Sequence, residues 1–207
     1  MDLHRWVVAA DTWRDGVQAY LASVSFADAM VGRVLDALER SGRADRTIII
    51  LWSDHGWHLG EKLRWRKTTL WEESTRVPLI VVAPDVTTPG SRSARTVSLI
   101  DLFPTLTELL GIEAPSYLEG TSLVPLLEDP NAPWNYPAIS TFGFGNHAVR
   151  TEQFRYIRYS DGSEELYDHE TDPNEWTNLA ADPTYAGVKA ELGELLPREN
   201  APDAYYR

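Results

Sequence analysis

Asp54 and His55 stand side by side in LWSDHGWHLGEKLRWRK, residues 51–67, and four cationic side chains, Lys62, Arg64, Arg66 and Lys67, follow in the same stretch. A carboxylate is a hard oxygen donor for calcium or magnesium, and calcium takes about 6–8 donors at roughly 2.3–2.6 Å. A neighbouring imidazole nitrogen widens the choice towards zinc or manganese. Two donors leave a calcium shell incomplete, so other ligands have to come from elsewhere in the fold. The basic run can hold a small anion next to such an ion. Blander roles fit the same residues. Asp at a strand end is a common helix N-cap or turn former, a single His is commonly a core or surface residue, and a basic run is commonly a solvated face.

The elements around this stretch decide whether the side chains converge. TIIILWS, residues 47–53, is a continuous apolar run rich in β-branched residues, the pattern of a strand buried on both faces. Asp54 and His55 then lie beyond its carboxyl end, where open α/β sheets bind ligands. Gly56 permits a sharp turn that aims both side chains into one crevice. Residues 54–76 read as a long loop with one short helical turn, and Trp57, Trp65 and Trp71 argue that it is ordered. VPLIVVAP, residues 77–84, is a second buried strand. Residues 17–41 carry Leu21, Val24, Met30, Val31, Val34, Leu35 and Leu38 at helical spacing, with Gly42 as a stop. A further helix is expected over 97–111, with Pro104 in its first turn and Gly111 at its end. The order helix, strand, loop, strand, helix predicts a layered α/β sheet, parallel or mixed.

Character changes near residue 131. PAISTF, HAVRT, FRYIRY and EELYD have strand composition, and SDGS supplies a hairpin turn with Asp161-Gly162 at its tip. A weakly amphipathic helix follows from about residue 184. The expected organisation is therefore residues 1–131 as part of a catalytic α/β domain and residues 132–207 as a small antiparallel sheet plus helix.

The 207 residues are 43% hydrophobic and 24% charged, ordinary for a globular chain. A formal net charge of −12 repels nucleic acid and anionic membranes at long range, so neither is an expected partner. No apolar run approaches the roughly 20 residues of a membrane helix. The first residues, MDLHRWVVAADTWRDG, lack the charged head and apolar core of a signal peptide. The compartment is left open. With no cysteine in the sequence, disulfides, thiolate metal sites and thiol catalysis are excluded for this chain.

Four blocks, YLASVSFADAMVGRVLDALERSG, SDHGWHLGEKLRWRKTTLWEESTRVPLIVVAP, VSLIDLFPTLTELLGI and ELYDHETDPNEWTNLA, occur in that order between about Ala19 and Ala181. Together they resemble the sulfatase family of the alkaline-phosphatase-like superfamily, most of all its iduronate-2-sulfatase-like branch. The resemblance implies that Asp54 and His55 bind one calcium ion and that Lys67 contacts the substrate sulfate as a catalytic cation. His58, Lys62, Arg64 and Arg66 are further candidates for substrate contact, His58 and Arg64 foremost. The expected activity is sulfuric-ester hydrolysis on a sulfated sugar or polysaccharide. Calcium would polarise the sulfuryl oxygens, and Lys67, a compact point charge, would stabilise the developing oxyanion. Asp168, Asp172 and Glu175, in the fourth block, read as structural turn residues.

The family's nucleophile is a formylglycine in a Cys/Ser-x-Pro-x-Arg motif, accompanied by two more acidic calcium ligands. None of the 13 prolines here has Ser two residues before and Arg two after, and there is no Cys. The resemblance therefore implies the C-terminal portion of a sulfatase, inactive alone, with the N-terminal half missing or supplied as a separate chain. Two other readings stand beside it: a phosphoesterase or phosphonate hydrolase of the same superfamily, and a non-catalytic remnant that serves as a binding module.

Overall fold

A computed structural model describes residues 2–201. α1 (Leu3–Ala9) is capped by the Asp2 side chain and leads into the 28-residue α2 (Trp13–Arg40). After Gly42, with φ +65°, the chain enters β1 (Ile49–Trp52). A small ribbon of β2 (His58–Leu59) and β3 (Trp65–Arg66) follows, then the single turn α3 (Glu72–Thr75) and β4 (Leu79–Val82). β1 and β4 pair antiparallel, Ile49 opposite Val82 and Trp52 opposite Leu79. Periodicity identifies both strands but carries no direction, and this stretch builds no parallel pair among the described residues.

Neither strand is buried on both faces. Trp52, Ile80 and Val82 are about half exposed, and α2 buries no residue. The apolar face expected on α2 is present as a pattern but open: Leu21, Val24 and Val34 are all exposed. Behind β4, α4 (Leu102–Leu109) and α5 (Val124–Glu128) pack around Leu123, Leu126 and Trp134, with Leu79 against them. A capping box holds the start of α4. Ser98 N–H donates to Asp101 Oδ2 at 2.8 Å, while Asp101 Oδ1 accepts from Thr121 N–H at 2.9 Å.

The best-packed part is the antiparallel meander β5 (Ala138–Thr141), β6 (His147–Arg150), β7 (Phe154–Arg158) and β8 (Glu164–Asp168). SDGS makes the β7–β8 turn as expected: Gly162 has φ +84°, and Asp161 Oδ1 accepts from Ser163 N–H at 2.9 Å. α6 (Ala186–Glu194) lies on one face, where Leu192 and Leu196 join Val149, Tyr156 and Leu166 in a closed core. Each such side chain contributes about 1.5–3 kcal/mol on burial. The other face, through Ala148, Ile157 and Tyr167, packs on Leu70 and Trp71. That contact joins the meander to the loop after β1.

Candidate active site

β1 ends at Trp52, and Asp54 and His55 follow beyond its carboxyl end. Ser53 Oγ donates to His55 O at 2.8 Å and ties the corner down. Gly56 serves close approach rather than turning: a Cβ there would lie 2.0 Å from Glu73 O, and Gly56 N–H donates to Ser74 O at 2.8 Å. The α3 backbone is thereby pressed against the corner that displays the pair.

His55 Nδ1 lies 2.8 Å from Gly56 O. A carbonyl only accepts, so Nδ1 carries the proton and Nε2 presents its lone pair, the tautomer a metal ligand needs. Nε2 is 3.7 Å from Asp54 Oδ1, whose side chain is 75% exposed. Two donors on one calcium ion stand roughly 3–4 Å apart in a 6- to 8-coordinate shell. Donor chemistry, tautomer and separation therefore all fit a shared cation. Lys67 Nζ stands 2.7 Å from Nε2 and donates to that lone pair. One cation of the basic run thus reaches the pair. Lys67 is exposed, and its flexible stem lets it withdraw.

The basic loop is backbone-strained. Lys62, Leu63, Arg66 and Thr68 have φ of +49°, +60°, +70° and +77°. A left-handed non-glycine residue costs about 1–3 kcal/mol and persists where the surroundings over-determine it. Such strain concentrates at functional loops. Here it turns Arg64, Arg66 and Lys67 outward, all exposed.

His58 and Lys62 are placed differently from the sequence expectation. His58 has no exposed surface; Nε2 lies 2.8 Å from Thr69 Oγ1, and Nδ1 faces Glu73 Oε2 at 3.9 Å. Burial lowers the His58 pKa and raises that of Glu73, so neutral forms are favoured on both sides. An imidazole without accessible surface offers nothing to an incoming ester; it braces the loop from inside. Lys62 turns inward too. Its ammonium sits 4.7 Å from the Trp71 ring centroid and 4.5 Å from that of Tyr167, and donates to Tyr167 Oη at 3.2 Å and to Glu175 O.

Sequence reasoning passed over a buried charge network beneath the loop. Glu175, with no exposed surface, accepts from Arg155 Nε at 2.5 Å, Glu72 N–H at 3.0 Å and His169 at 2.9 Å. His169 Nδ1 accepts from Arg150 at 3.0 Å, so its Nε2 carries the proton given to Glu175. Burial works against the Glu175 charge, but the His169 hydrogen bond and the Arg155 charge prevail and hold its carboxyl below the ordinary range. Glu72, His169 and Glu175 bring donor atoms together as a metal site does. Arg150 and Arg155 already pair with those carboxylates, and two guanidinium charges leave no call for a metal cation there. Asp168, Asp172 and Glu175 keep the structural character read from the sequence. Asp172 Oδ2, for one, accepts from Thr177 N–H at 2.7 Å.

Residues 6–112 match the family model described as Sulfatase, and residues 60–201 match that of the N-sulphoglucosamine sulphohydrolase C-terminal region. The chain belongs to the sulfatase family. A curated sulfatase of Formosa agariphila is 43% identical over 196 residues, which are 95% of this chain and 38% of that protein. A solved structure described as in complex with its substrate D-glucosamine-2-N,6-O-disulfate superposes with TM-score 0.77 and 34% identity, covering 86% of this chain and 38% of that one. The phosphonate monoester hydrolase of Agrobacterium radiobacter gives TM-score 0.73 and 32% identity, covering 81% and 38%. The sulfatase chain therefore spans a little over a third of the length of these relatives, and it aligns with their C-terminal portion. The mixed α/β architecture expected from the sequence agrees with these structures.

Proposed function

We propose that this chain carries the C-terminal part of a sulfuric-ester hydrolase site. Asp54 and His55 hold calcium, and Lys67 with Arg64 contacts the sulfate. The observation that carries this reading is convergence: Asp54 Oδ1, His55 Nε2 and Lys67 Nζ succeed one another at 3.7 Å and 2.7 Å at one strand end. Calcium, when bound, supplies Lewis-acid polarisation of the sulfuryl oxygens. The chain's own residues do the rest. Asp54 contributes a full negative charge to the ion. His55 contributes a neutral donor fixed in tautomer by Gly56. Lys67 leaves Nε2 for the ester and places its ammonium on a sulfuryl oxygen as charge develops there.

Residues 1–131 form the catalytic part in this reading, and residues 132–207 form the subdomain that supports its loop. The formylglycine nucleophile and the remaining calcium ligands belong to sequence outside this chain, in an N-terminal half that would also cover α2 and the open faces of β1 and β4. The substrate is a sulfated sugar or polysaccharide, with iduronate-2-sulfatase-like enzymes as the nearest functional branch. The chain alone turns over no ester.

The test is complementation. The chain is co-expressed with the part of the Formosa agariphila relative that precedes the matched region, and aryl sulfate turnover is assayed with calcium and with chelator. Turnover that needs both parts and calcium, and that falls about 10²–10³-fold in Lys67→Ala, is the expected result. Equal turnover with Lys67→Ala, or turnover by the chain alone, would overturn it. The phosphonate hydrolase likeness favours a second reading, so an aryl phosphonate ester is run in parallel; faster turnover of that ester makes phosphorus the target.

A further inference from the structure

The basic loop is held at both ends by the C-terminal sheet, and its outward cations lie between the two holds. At the near end the Lys62 ammonium is enclosed by the faces of Trp71 and Tyr167 and donates to Tyr167 Oη and Glu175 O. At the far end Arg155 on β7 donates to Leu70 O at 3.0 Å, and Glu175 receives Glu72 N–H at 3.0 Å. Glu165 fixes the aromatic walls, accepting from Trp71 Nε1 at 2.5 Å and from Tyr167 Oη at 2.7 Å. Glu175 serves both holds at once. Its own backbone is left-handed, φ +58°, so its carbonyl meets Lys62 while its carboxylate stays in the charge network.

We infer that Lys62 and Glu175 are positioning residues: together they clamp the loop in the strained form that presents Arg64, Arg66 and Lys67. The inference rests on the reading above only for what those three cations meet. The clamp itself follows from charge and enclosure. A part-buried ammonium between two ring faces, with a carbonyl and a hydroxyl as acceptors, has little reason to leave. Its removal frees Leu63 and Arg64, whose amides bond within the loop to Gly60 O at 3.1 Å and Glu61 O at 2.8 Å.

The experiment is hydrogen exchange on the full chain, with inorganic sulfate as the probe ligand in a parallel titration. Lys62→Met keeps the stem and removes the charge. The expected result is at least tenfold faster exchange at the amides of Gly60, Leu63 and Arg64, unchanged exchange in β6–β8, and about tenfold weaker sulfate binding. Lys67→Ala should weaken sulfate binding and leave loop exchange as it was. Should Lys62→Met loosen β6–β8 as well, Tyr167→Phe, which removes one acceptor and keeps the ring, decides instead; it should speed loop exchange at least threefold. Unchanged loop exchange in the deciding variant overturns the clamp. Absence of sulfate binding by the unaltered chain counts against the sulfate reading alone, because the exchange result stands without it.

Discussion

Arg155→Lys keeps the charge at the centre of the buried network and removes its direction. Arg155 is 2% exposed and donates from three nitrogens: Nε to Glu175, Nη1 to Leu70 O, and Nη2 to Glu72. A lysine ammonium on its shorter reach can satisfy one of these three partners. Hydrogen bonds involving a charged group contribute about 1.5–3 kcal/mol each, so losing two costs about 3–6 kcal/mol. Arg150 stays on Glu72 at 3.4 Å and offsets part of this. The expected loss is about 3–4 kcal/mol. With a urea m-value of about 2 kcal/mol/M, the midpoint followed by tryptophan fluorescence should fall by about 1.5–2 M. Arg158→Lys at the exposed end of the same strand is the control and should move it very little. A drop below about 0.3 M for Arg155→Lys would show that charge alone holds this network and that the geometry assigned to the guanidinium is immaterial.

Gly56→Ala puts a Cβ 2.0 Å from Glu73 O, a backbone atom that cannot rotate away; it should destabilise by about 3 kcal/mol or more and disturb the Asp54–His55 corner, read from urea melts and from the NMR shifts of the His55 ring. Glu175 titrates below its ordinary value in the folded chain. Its contribution is therefore present above about pH 4.3 and lost as pH falls through the lower folded value. Urea midpoints between pH 6 and pH 3 should decline on this account, and Glu175→Gln should flatten the decline. Glu73 runs the other way. Burial raises its folded pKa, so stability is lost as pH rises from about 4.3 through that higher value. Glu73→Gln should gain on the parent chain across the same interval, and a constant difference from pH 4 to pH 7 would contradict the assignment.

The parts legible in the sequence were those written in local pattern. The β7–β8 hairpin announces itself through Asp161-Gly162, and the strands around it through Val, Ile and Tyr, which the structure buries. The strand-end position of Asp54 and His55 was legible because they follow an apolar run directly, and the approach of Lys67 to His55 agrees with the place that the family resemblance gives Lys67 beside that pair. His58 was not legible. Its neighbours are charged and aromatic, and its burial is set by Thr69 and Glu73, eleven and fifteen positions on. Lys62 looked like a fourth solvent-facing cation because its partners lie 105 and 113 residues away. The open face of α2 carries the same lesson in reverse: helical periodicity reports an apolar stripe whether or not anything among the described residues covers it.

The 113-residue separation between Lys62 and Glu175 also sets a clock. β6, β7 and β8 are joined by short turns, so they can pair soon after they are made. The loop that bears Lys67 cannot, because its near hold is the carbonyl of Glu175. At a synthesis rate of about 5–20 residues per second, the loop waits roughly 6–23 s between its own translation and that of its anchor. Through that interval Trp71 lacks the sheet that later seats it, and the nascent chain carries a cationic, aromatic segment open to chaperones. The basic loop is therefore among the last pieces of this chain to take shape, although it is encoded in the first third.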